Sequence, residues 1–263
     1  MDLGLKNRTA VVTGSSRGIG KAIARGLAGE GVKTVVCARD KETLKETAKE
    51  IETSTKTQVL PIQTDLQNRR EIRSLVKITV ESFGGIDILV NNTGGPPSSL
   101  FLETSEEDWR DAVDQLLMSV VNCCLEVVPY MQRAGWGRIV NMTSFAAKQP
   151  IKSLILSNSI RSGILGLTKS LSNELAEYGI LVNAVCPGWT LTGRIVELAK
   201  SRAEKTGESY ADVVEEWAKS IPLKRLARPE EIANLVVFLT SEKASYVTGT
   251  TIQVDGGFIK SLI

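Results

Sequence analysis

The chain has 263 residues, a formal net charge of +2 at pH 7 and no histidine. This nearly balanced charge gives no reason to expect a nucleic acid or an anionic membrane as partner, and the lack of histidine excludes a Ser-His-Asp hydrolase and argues against a metal site. Its length suits one large α/β domain, and an apolar content of 42% is ample for a sizeable core.

Apolar segments that predict strands alternate along the chain with amphipathic segments that predict helices. The predicted strands are Thr9–Val12, Lys33–Ala38, Gln58–Gln63, Ile86–Val90, Arg138–Met142, Ile180–Cys186 and Thr250–Val254, and the predicted helices are Lys21–Ala28, Lys41–Thr53, Arg69–Phe83, Ser105–Arg133 and Ser153–Tyr178. This alternation predicts a parallel sheet covered on both faces, and right-handed crossovers make it doubly wound. We expect a single α/β domain over residues 1–263.

The segment 190–226 is the one long interruption of this pattern. It is charged and helix-prone, and it lies between the end of a strand and a closing helix. We predict a mobile helical lid over a functional site, with a solvated helical insertion as the alternative. Trp189, Tyr210 and Trp217 favour an apolar or extended substrate.

Neither the N-terminal segment nor the cysteines indicate a membrane or an oxidising compartment. The segment from Met1 to Lys6 lacks the apolar core of a signal peptide, and no apolar run approaches the roughly 18 residues of a membrane span. Cys37, Cys123, Cys124 and Cys186 lie in apolar segments without Cys-x-x-Cys spacing, which indicates reduced, buried thiols. We expect a cytoplasmic protein without a membrane partner.

A glycine-rich turn, Thr13 to Gly20, joins the first predicted strand to the first helix. Gly14 permits a tight turn, Gly18 would let the backbone approach a pyrophosphate, and Gly20 would let the helix pack closely. The helix N-terminus offers N–H groups and a positive dipole end to phosphates. Such a turn also occurs without a nucleotide, so the spacing by itself leaves both interpretations open.

Four separated motifs give the chain a resemblance to the short-chain dehydrogenase/reductase family, nearest to its β-ketoacyl carrier-protein reductase-like branch. They are the turn 13–20, Asn91–Gly94, Pro187–Gly188, and a C-terminal set made of Pro229–Glu231, Tyr246–Gly249 and Val254–Gly257. The resemblance runs from end to end. It implies a Rossmann fold, an NAD(P)-linked oxidoreductase acting on a small carbonyl or alcohol substrate, and a homodimer or homotetramer formed through the two long helices.

The same resemblance implies cofactor contacts at the matching positions. They are Gly14, Ser16, Arg17, Gly18, Ile19 and Gly20 at the phosphates, Asp65 and Leu66 at the adenine edge, Asn92, Thr93 and Gly94 on the adenosine ribose side, and Pro187, Gly188, Thr190 and Thr192 at the nicotinamide end. Asn91 would brace the sheet instead.

The end of the second strand bears on the choice of cofactor. An acidic residue there would bind a ribose 2′-hydroxyl and repel a phosphate. This chain has Cys37, Ala38 and Arg39 there, and Arg17 lies in the turn. Each arginine alone could be a surface residue, but together they could clamp a 2′-phosphate. The sequence therefore favours NADP(H) over NAD(H).

The catalytic stretch departs from the family pattern of a Ser, a later Tyr, and a Lys one helical turn after the Tyr. Ser144 matches the Ser, but Ser157 stands at the Tyr position and Arg161 at the Lys position, with the register fixed by Ser162–Gly163. The family's helper Asn aligns with Leu116.

The substitutions change what the predicted catalytic residues, Ser144, Ser157 and Arg161, can do. An aliphatic hydroxyl is far less acidic than a phenol, and an arginine stays protonated and cannot relay a proton. Arg161 could still bind ribose hydroxyls and stabilise a developing alkoxide or enolate, while Ser144 could orient a carbonyl oxygen. Lys148 and Lys152 are alternative acid–base candidates, unless they are solvated loop lysines.

These residues leave two functions open. The first is an NADP(H)-linked oxidoreductase with altered proton delivery, and the second is a cofactor-binding protein without turnover, such as a sensor or a structural subunit. A halohydrin dehalogenase, which resembles this fold with Ser, Tyr and Arg, fits poorly, because this chain lacks the Tyr and keeps the cofactor turn.

Overall fold

The computed structural model describes residues 2–262 of the chain. Its centre is a seven-stranded parallel sheet with the strand order β3-β2-β1-β4-β5-β6-β7. The strands are β1 (Thr9–Val12), β2 (Lys33–Ala38), β3 (Val59–Gln63), β4 (Ile88–Asn91), β5 (Gly137–Met142), β6 (Ile180–Pro187) and β7 (Thr251–Val254). The chain order reverses between β1 and β4, which leaves a crevice at the carboxyl ends of these strands.

Helices cover both faces of this sheet. The α-helices of the described chain are α1 (Gly18–Gly29), α2 (Lys41–Thr55), α3 (Arg69–Phe83), α4 (Glu106–Val113), α5 (Ser119–Ala134), α6 (Ile155–Leu175), α7 (Gly193–Thr206), α8 (Tyr210–Ser220) and α9 (Pro229–Leu239), of which α7 and α8 lie apart from the sheet faces. The predicted doubly wound α/β fold is confirmed, and the predicted strands agree with the observed ones to within about two residues.

The central strands β1, β4 and β5 are buried on both faces, because their side chains alternate across the sheet and helices cover both sides of it. In β1, Ala10 and Val12 join an apolar cluster with α1 and α9, whereas Val11 lies in the opposite cluster with α3 and α5. Two apolar layers therefore hold the sheet in place. They fix the positions of the loops at its carboxyl edge.

The long helix predicted over Ser105–Arg133 is interrupted. Its middle is a π-helical segment, Asp114–Met118, between α4 and α5. The backbone N–H of Ser119 donates to the carbonyl of Asp114, one residue further back than in an α-helix. The Ser119 hydroxyl donates to the carbonyl of Gln115 at 2.6 Å, the acceptor that an α-helix would have given to the Ser119 N–H.

By length and composition alone, the helical stretch 106–134 could cross a membrane. Of its most apolar window, 39% is buried. Val120, Cys123, Val127 and Met131 pack in the apolar layer against the sheet. The core helix of a water-soluble α/β protein passes the same test, so the observation is weak evidence for a membrane span.

The segment 190–226 contains α7 and α8, which pack with the loop after β6 around a third apolar cluster. In this cluster the rings of Trp189 and Trp217 stack with centroids 4.3 Å apart, and Phe145 meets Trp189 edge to face. The helical character predicted for this segment is confirmed. That it moves as a lid stays a prediction.

Candidate active site

A cleft of about 850 Å³ lies at the carboxyl ends of the strands, beside the reversal in strand order. All of the cofactor-binding and catalytic residues that the sequence predicts line it: Gly14, Ser16, Arg17, Gly18, Ile19, Gly20, Arg39, Asp65, Leu66, Asn92, Thr93, Gly94, Ser144, Ser157, Arg161, Pro187, Gly188, Thr190 and Thr192. Residues from distant parts of the chain thus meet in one continuous cleft.

The glycine-rich turn forms one end of the cleft. Gly14 has a φ of +56°, and a Cβ there would lie 2.6 Å from the carbonyl oxygen of Asn92. The Asn92 side chain donates to the Gly14 carbonyl at 3.0 Å and so ties the turn to the end of β4. Helix α1 begins without a side-chain cap and without an acidic residue in its first turn. Its N-terminal N–H groups are therefore suited to binding an anion.

Two arginines, Arg17 and Arg39, line the cleft near the glycine-rich turn. Arg39 is exposed, and Arg17 lies with its Nη2 atom 3.8 Å from a carboxylate oxygen of Glu197 on α7. Asp40 also lines the cleft, which the sequence interpretation did not consider. Its carboxylate accepts from the Thr43 N–H at 2.8 Å and caps α2; hydrogen bonding to Thr43 lowers the Asp40 pKa.

Asparagine side chains connect the strands beneath the cleft. The Asn91 amide donates to Asn141 at 2.9 Å, and the Asn141 amide donates to the Thr168 hydroxyl at 2.9 Å. All three side chains are buried. The expected bracing role of Asn91 is confirmed, and this network joins β4, β5 and α6.

Ser144 and Ser157 lie at the far end of the cleft. The Ser144 hydroxyl accepts from the Ala146 N–H at 3.1 Å and caps a short turn after β5. Ser157 lies in the first half of α6, one helical turn before Arg161, and only 8% of it is exposed. The helix thus brings Ser157 and Arg161 to the same wall of the cleft.

Arg161 is a buried cation, 5% exposed. Its Nη1 atom donates to the carbonyls of Met142 and Thr143, and its Nη2 atom donates to the carbonyl of Gly94, each at 3.3 Å. Burial, together with the nearby charge of Arg194, lowers the pKa of Arg161 to about 10. The guanidinium is therefore still charged at neutral pH.

Comparison with known proteins identifies the family. A family model described as "Enoyl-(Acyl carrier protein) reductase" matches residues 14–259. The 3-oxoacyl-[acyl-carrier-protein] reductase of Staphylococcus epidermidis is 36% identical over 252 residues, covering 95% of this chain and 98% of the relative. That of Aquifex aeolicus is 34% identical over 257 residues, covering 98% and 99%. The chain belongs to the short-chain dehydrogenase/reductase family.

Solved structures of other family members have the same architecture. L-sorbose reductase from Gluconobacter frateurii, complexed with NADPH and L-sorbose, has a TM-score of 0.95 and 36% identity over 100% of both chains. An actinorhodin polyketide ketoreductase variant with NADPH has a TM-score of 0.93 and 34% identity, covering 97% of this chain and 98% of that one. Both structures therefore match nearly the whole chain.

The family's helper Asn position illustrates what the π-helical segment changes. Leu116, which aligns with that Asn, is fully buried against Ala112, Leu156 and Ile160. Its neighbour Gln115 lines the cleft, and its amide donates to the Gly94 carbonyl at 3.4 Å. Both residues lie within the π-helical segment, so the position of the missing Asn does not reveal that the neighbouring Gln115 lines the cleft.

Two charged residues of α7, Arg194 and Glu197, also line the cleft, and the sequence did not predict them as site residues. Arg194 donates to the Pro96 carbonyl, and its Nη1 atom lies 3.6 Å from a Glu197 oxygen. The only sequence feature that could have indicated Arg194 is its position two residues after Thr192, a predicted cofactor contact.

Neither lysine candidate reaches the cleft lining. Lys148 donates to the Gln253 side chain at 2.9 Å, and Lys152 borders a separate cavity of about 240 Å³. Within residues 2–262 there is also no cluster of three or more His, Cys, Asp or Glu side chains that could hold a metal ion.

Proposed function

We propose that this short-chain dehydrogenase/reductase is an NADP(H)-dependent oxidoreductase that interconverts a small carbonyl compound and the corresponding alcohol. One observation carries the proposal: a single cleft unites the phosphate turn, Arg17 and Arg39 with Ser144, Ser157 and Arg161. The names of similar proteins support it, since the L-sorbose reductase and the polyketide ketoreductase were solved with NADPH, and 3-oxoacyl carrier-protein reductases are the similar curated proteins.

The cleft fits the proposed cofactor. The uncapped start of α1 suits a pyrophosphate, and a Cβ at Gly18, whose φ is +59°, would fill space beside Thr192 at 3.3 Å. Arg17 and Arg39 suit a 2′-phosphate, and the Asp40 carboxylate is engaged at the α2 N-terminus. NADPH, when bound, supplies the hydride. NAD(H) lacks the phosphate and would leave Arg39 without an anion and Arg17 with only Glu197, at 3.8 Å.

Arg161 supplies a fixed positive charge where the family has Lys. A charge held by three backbone carbonyls cannot swing away from the cleft wall, so it is preorganised for negative charge on a substrate oxygen or for ribose hydroxyls. It does not deliver the proton, because the guanidinium remains protonated at neutral pH. We propose that Ser144 and Ser157 orient the carbonyl and that water protonates the product.

The alternative is a cofactor-binding protein without turnover. Ser157, Arg161 and the buried Leu116 occupy three of the four positions of the family's catalytic set, which favours this alternative. The two functions share the cofactor cleft and differ only in chemistry. An assay that separates binding from turnover distinguishes them.

That assay follows NADPH oxidation by absorbance against a panel of ketones, keto acids, ketoacyl thioesters and quinones, beside NADPH binding measured by fluorescence. Turnover of at least one carbonyl compound supports the oxidoreductase. Tight NADPH binding with no turnover across the panel supports the alternative. Failure to bind NADPH would contradict both.

We also propose that the protein forms a homodimer or homotetramer through the long helices. Leu125 of α5 is 56% exposed, and Met118 at its start is exposed as well. Such an apolar helix face is more stable when a second copy covers it. Light scattering measures the assembled mass; a monomer at all concentrations would contradict this part of the proposal.

A further inference from the structure

Two guanidinium groups donate hydrogen bonds to the same cleft-lining loop, residues 94–96. Arg161 donates to the carbonyl of Gly94, and Arg194 donates to the carbonyl of Pro96. The Arg194 guanidinium lies 3.1 Å from the place that a Cβ of Gly95 would occupy. Helix α6 therefore contributes one cation, helix α7 contributes the other, and the loop 94–96 lies between them.

The charge of this pair is only partly balanced. The hydrogen-bond acceptors of Arg161 are backbone carbonyls, and no carboxylate of residues 2–262 lies within 4.0 Å of it. Arg194 has Glu197 at 3.6 Å, and Glu197 also faces Arg17. Burial of a cation without a counter-ion is costly, so such an arrangement points to an anion that arrives with a ligand.

We propose that Arg161 and Arg194 bind an anionic group of the substrate, and that the preferred substrates are keto acids or the corresponding hydroxy acids. This inference rests on the proposed oxidoreductase function. A carboxylate beside the reacting carbonyl accepts hydrogen bonds from both guanidinium groups, which places the carbonyl on the wall that carries Ser157. The apolar side chains of Phe145, Leu154 and Leu198 line the same cleft and suit the rest of the molecule.

The cofactor is the other possible source of an anion, since its pyrophosphate also enters the cleft. The two sources differ in what removal of the Arg194 charge affects. A substrate carboxylate makes the discrimination between charged and neutral substrates depend on Arg194. A pyrophosphate makes the affinity for NADPH depend on it.

The test measures binding to the NADP⁺-loaded protein by calorimetry, with two pairs of compounds matched in shape: benzoylformate with benzoylformamide, and acetoacetate with acetoacetamide. In the unmodified protein we expect each acid to bind about tenfold more tightly than its amide. Arg194→Gln should reduce this ratio several-fold, with Arg161 accounting for what remains, whereas Arg194→Lys should retain more of it. Lys200→Gln, an exposed site on α7 outside the cleft lining, removes the same charge and should leave the ratio unchanged.

Each contrary result has a definite meaning. Equal binding of acid and amide, or no binding of either acid, overturns the inference. So does an Arg194→Gln protein that binds NADPH more weakly but keeps the acid-to-amide ratio, since the arginine would then serve the cofactor. Failure of the proposed oxidoreductase function appears separately, as acid-selective binding without NADPH oxidation.

Discussion

The Nη2 atom of Arg161 lies 3.3 Å from the carbonyl oxygen of Gly94, so a buried cation of α6 is fastened to the loop that follows β4. Gln115 donates to the same oxygen from the π-helical segment. Two side chains from separate parts of the chain thus donate to one backbone carbonyl. We expect the position of Arg161, and not only its charge, to matter for function.

The first prediction separates the functional role of Arg161 from its contribution to stability. An apolar side chain of similar volume removes the cost of burying the Arg161 charge, and this gain offsets the loss of its hydrogen bonds to three backbone carbonyls. In Arg161→Met we therefore expect the free energy of unfolding to change by about 1 kcal/mol or less, while kcat/KM for carbonyl reduction falls about 100-fold. Urea denaturation and NADPH oxidation measure the two quantities, with Arg161→Lys as the variant that keeps a charge. Parallel loss of stability and activity would assign Arg161 a structural role.

The second prediction concerns cofactor choice. Arg39→Glu places a negative charge beside the proposed 2′-phosphate, so the Kd for NADPH should rise about tenfold or more while that for NADH changes little. The matched control is Lys49→Glu, the same change of charge at an exposed site on α2 outside the cleft lining. An unchanged ratio of the two Kd values in Arg39→Glu would contradict the assignment of Arg39.

The third prediction tests the asparagine network under the cleft. Thr168→Val keeps the shape of the side chain but removes the acceptor of the Asn141 amide, which leaves a buried donor without a partner. The free energy of unfolding should fall by about 1–3 kcal/mol. Thr206→Val is the control, because its hydroxyl lies at the exposed end of α7, and it should change stability by about 0.5 kcal/mol or less. Similar effects of the two variants would show that the network contributes little.

The fourth prediction is a loss of stability at alkaline pH. Burial raises the pKa of Cys37 and of Cys124 from 9.0 to about 12. Above pH 9 the unfolded chain releases these protons while the folded chain keeps them. The free energy of unfolding must then fall with rising pH, by about 1.4 kcal/mol per pH unit for each thiol until the folded pKa is reached.

Urea denaturation at pH 8.5 and 10 under reducing conditions measures this slope. The double variant Cys37→Ala, Cys124→Ala should have a shallower slope than the unmodified protein. Iodoacetamide should leave both thiols of the folded protein unmodified at pH 8. Rapid alkylation of the folded protein, or equal slopes, would contradict the prediction.

The fold was predictable from sequence because each buried strand is a short apolar run bounded by glycine or charge. Thr9–Val12 and Lys33–Ala38 were located to the residue. The contents of the cleft were predictable as well, since parallel strands end at one edge and the motif residues follow those ends. Such expectations need only local pattern and the geometry of a parallel sheet.

Other parts of the site could not be predicted, because they depend on contacts between distant segments. Nothing in the sequence near Gln115 signals that the helix widens there or that Gln115 donates to the Gly94 carbonyl. Arg194 is one of many charged residues in a helix-prone segment, and only the packing of α7 brings it to Pro96. Lys148 was an acid–base candidate because of its place in the loop after Ser144. In the structure its ammonium group donates to the Gln253 side chain and does not line the cleft.

The π-helical segment Asp114–Met118 has a consequence for the whole of the long helix. In a continuous α-helix, one apolar stripe would face a single neighbour. Here Ala112 and Leu116 face the start of α6, whereas Val120 and Val127 face the sheet. The π-helical turn rotates the apolar face of α5 relative to that of α4, so that the two helices pack against different neighbours. Deletion of one residue from this turn would make the helix continuous and align the two apolar faces. Either the contacts of α4 with α6 at the cleft wall or the packing of α5 on the sheet would then be lost.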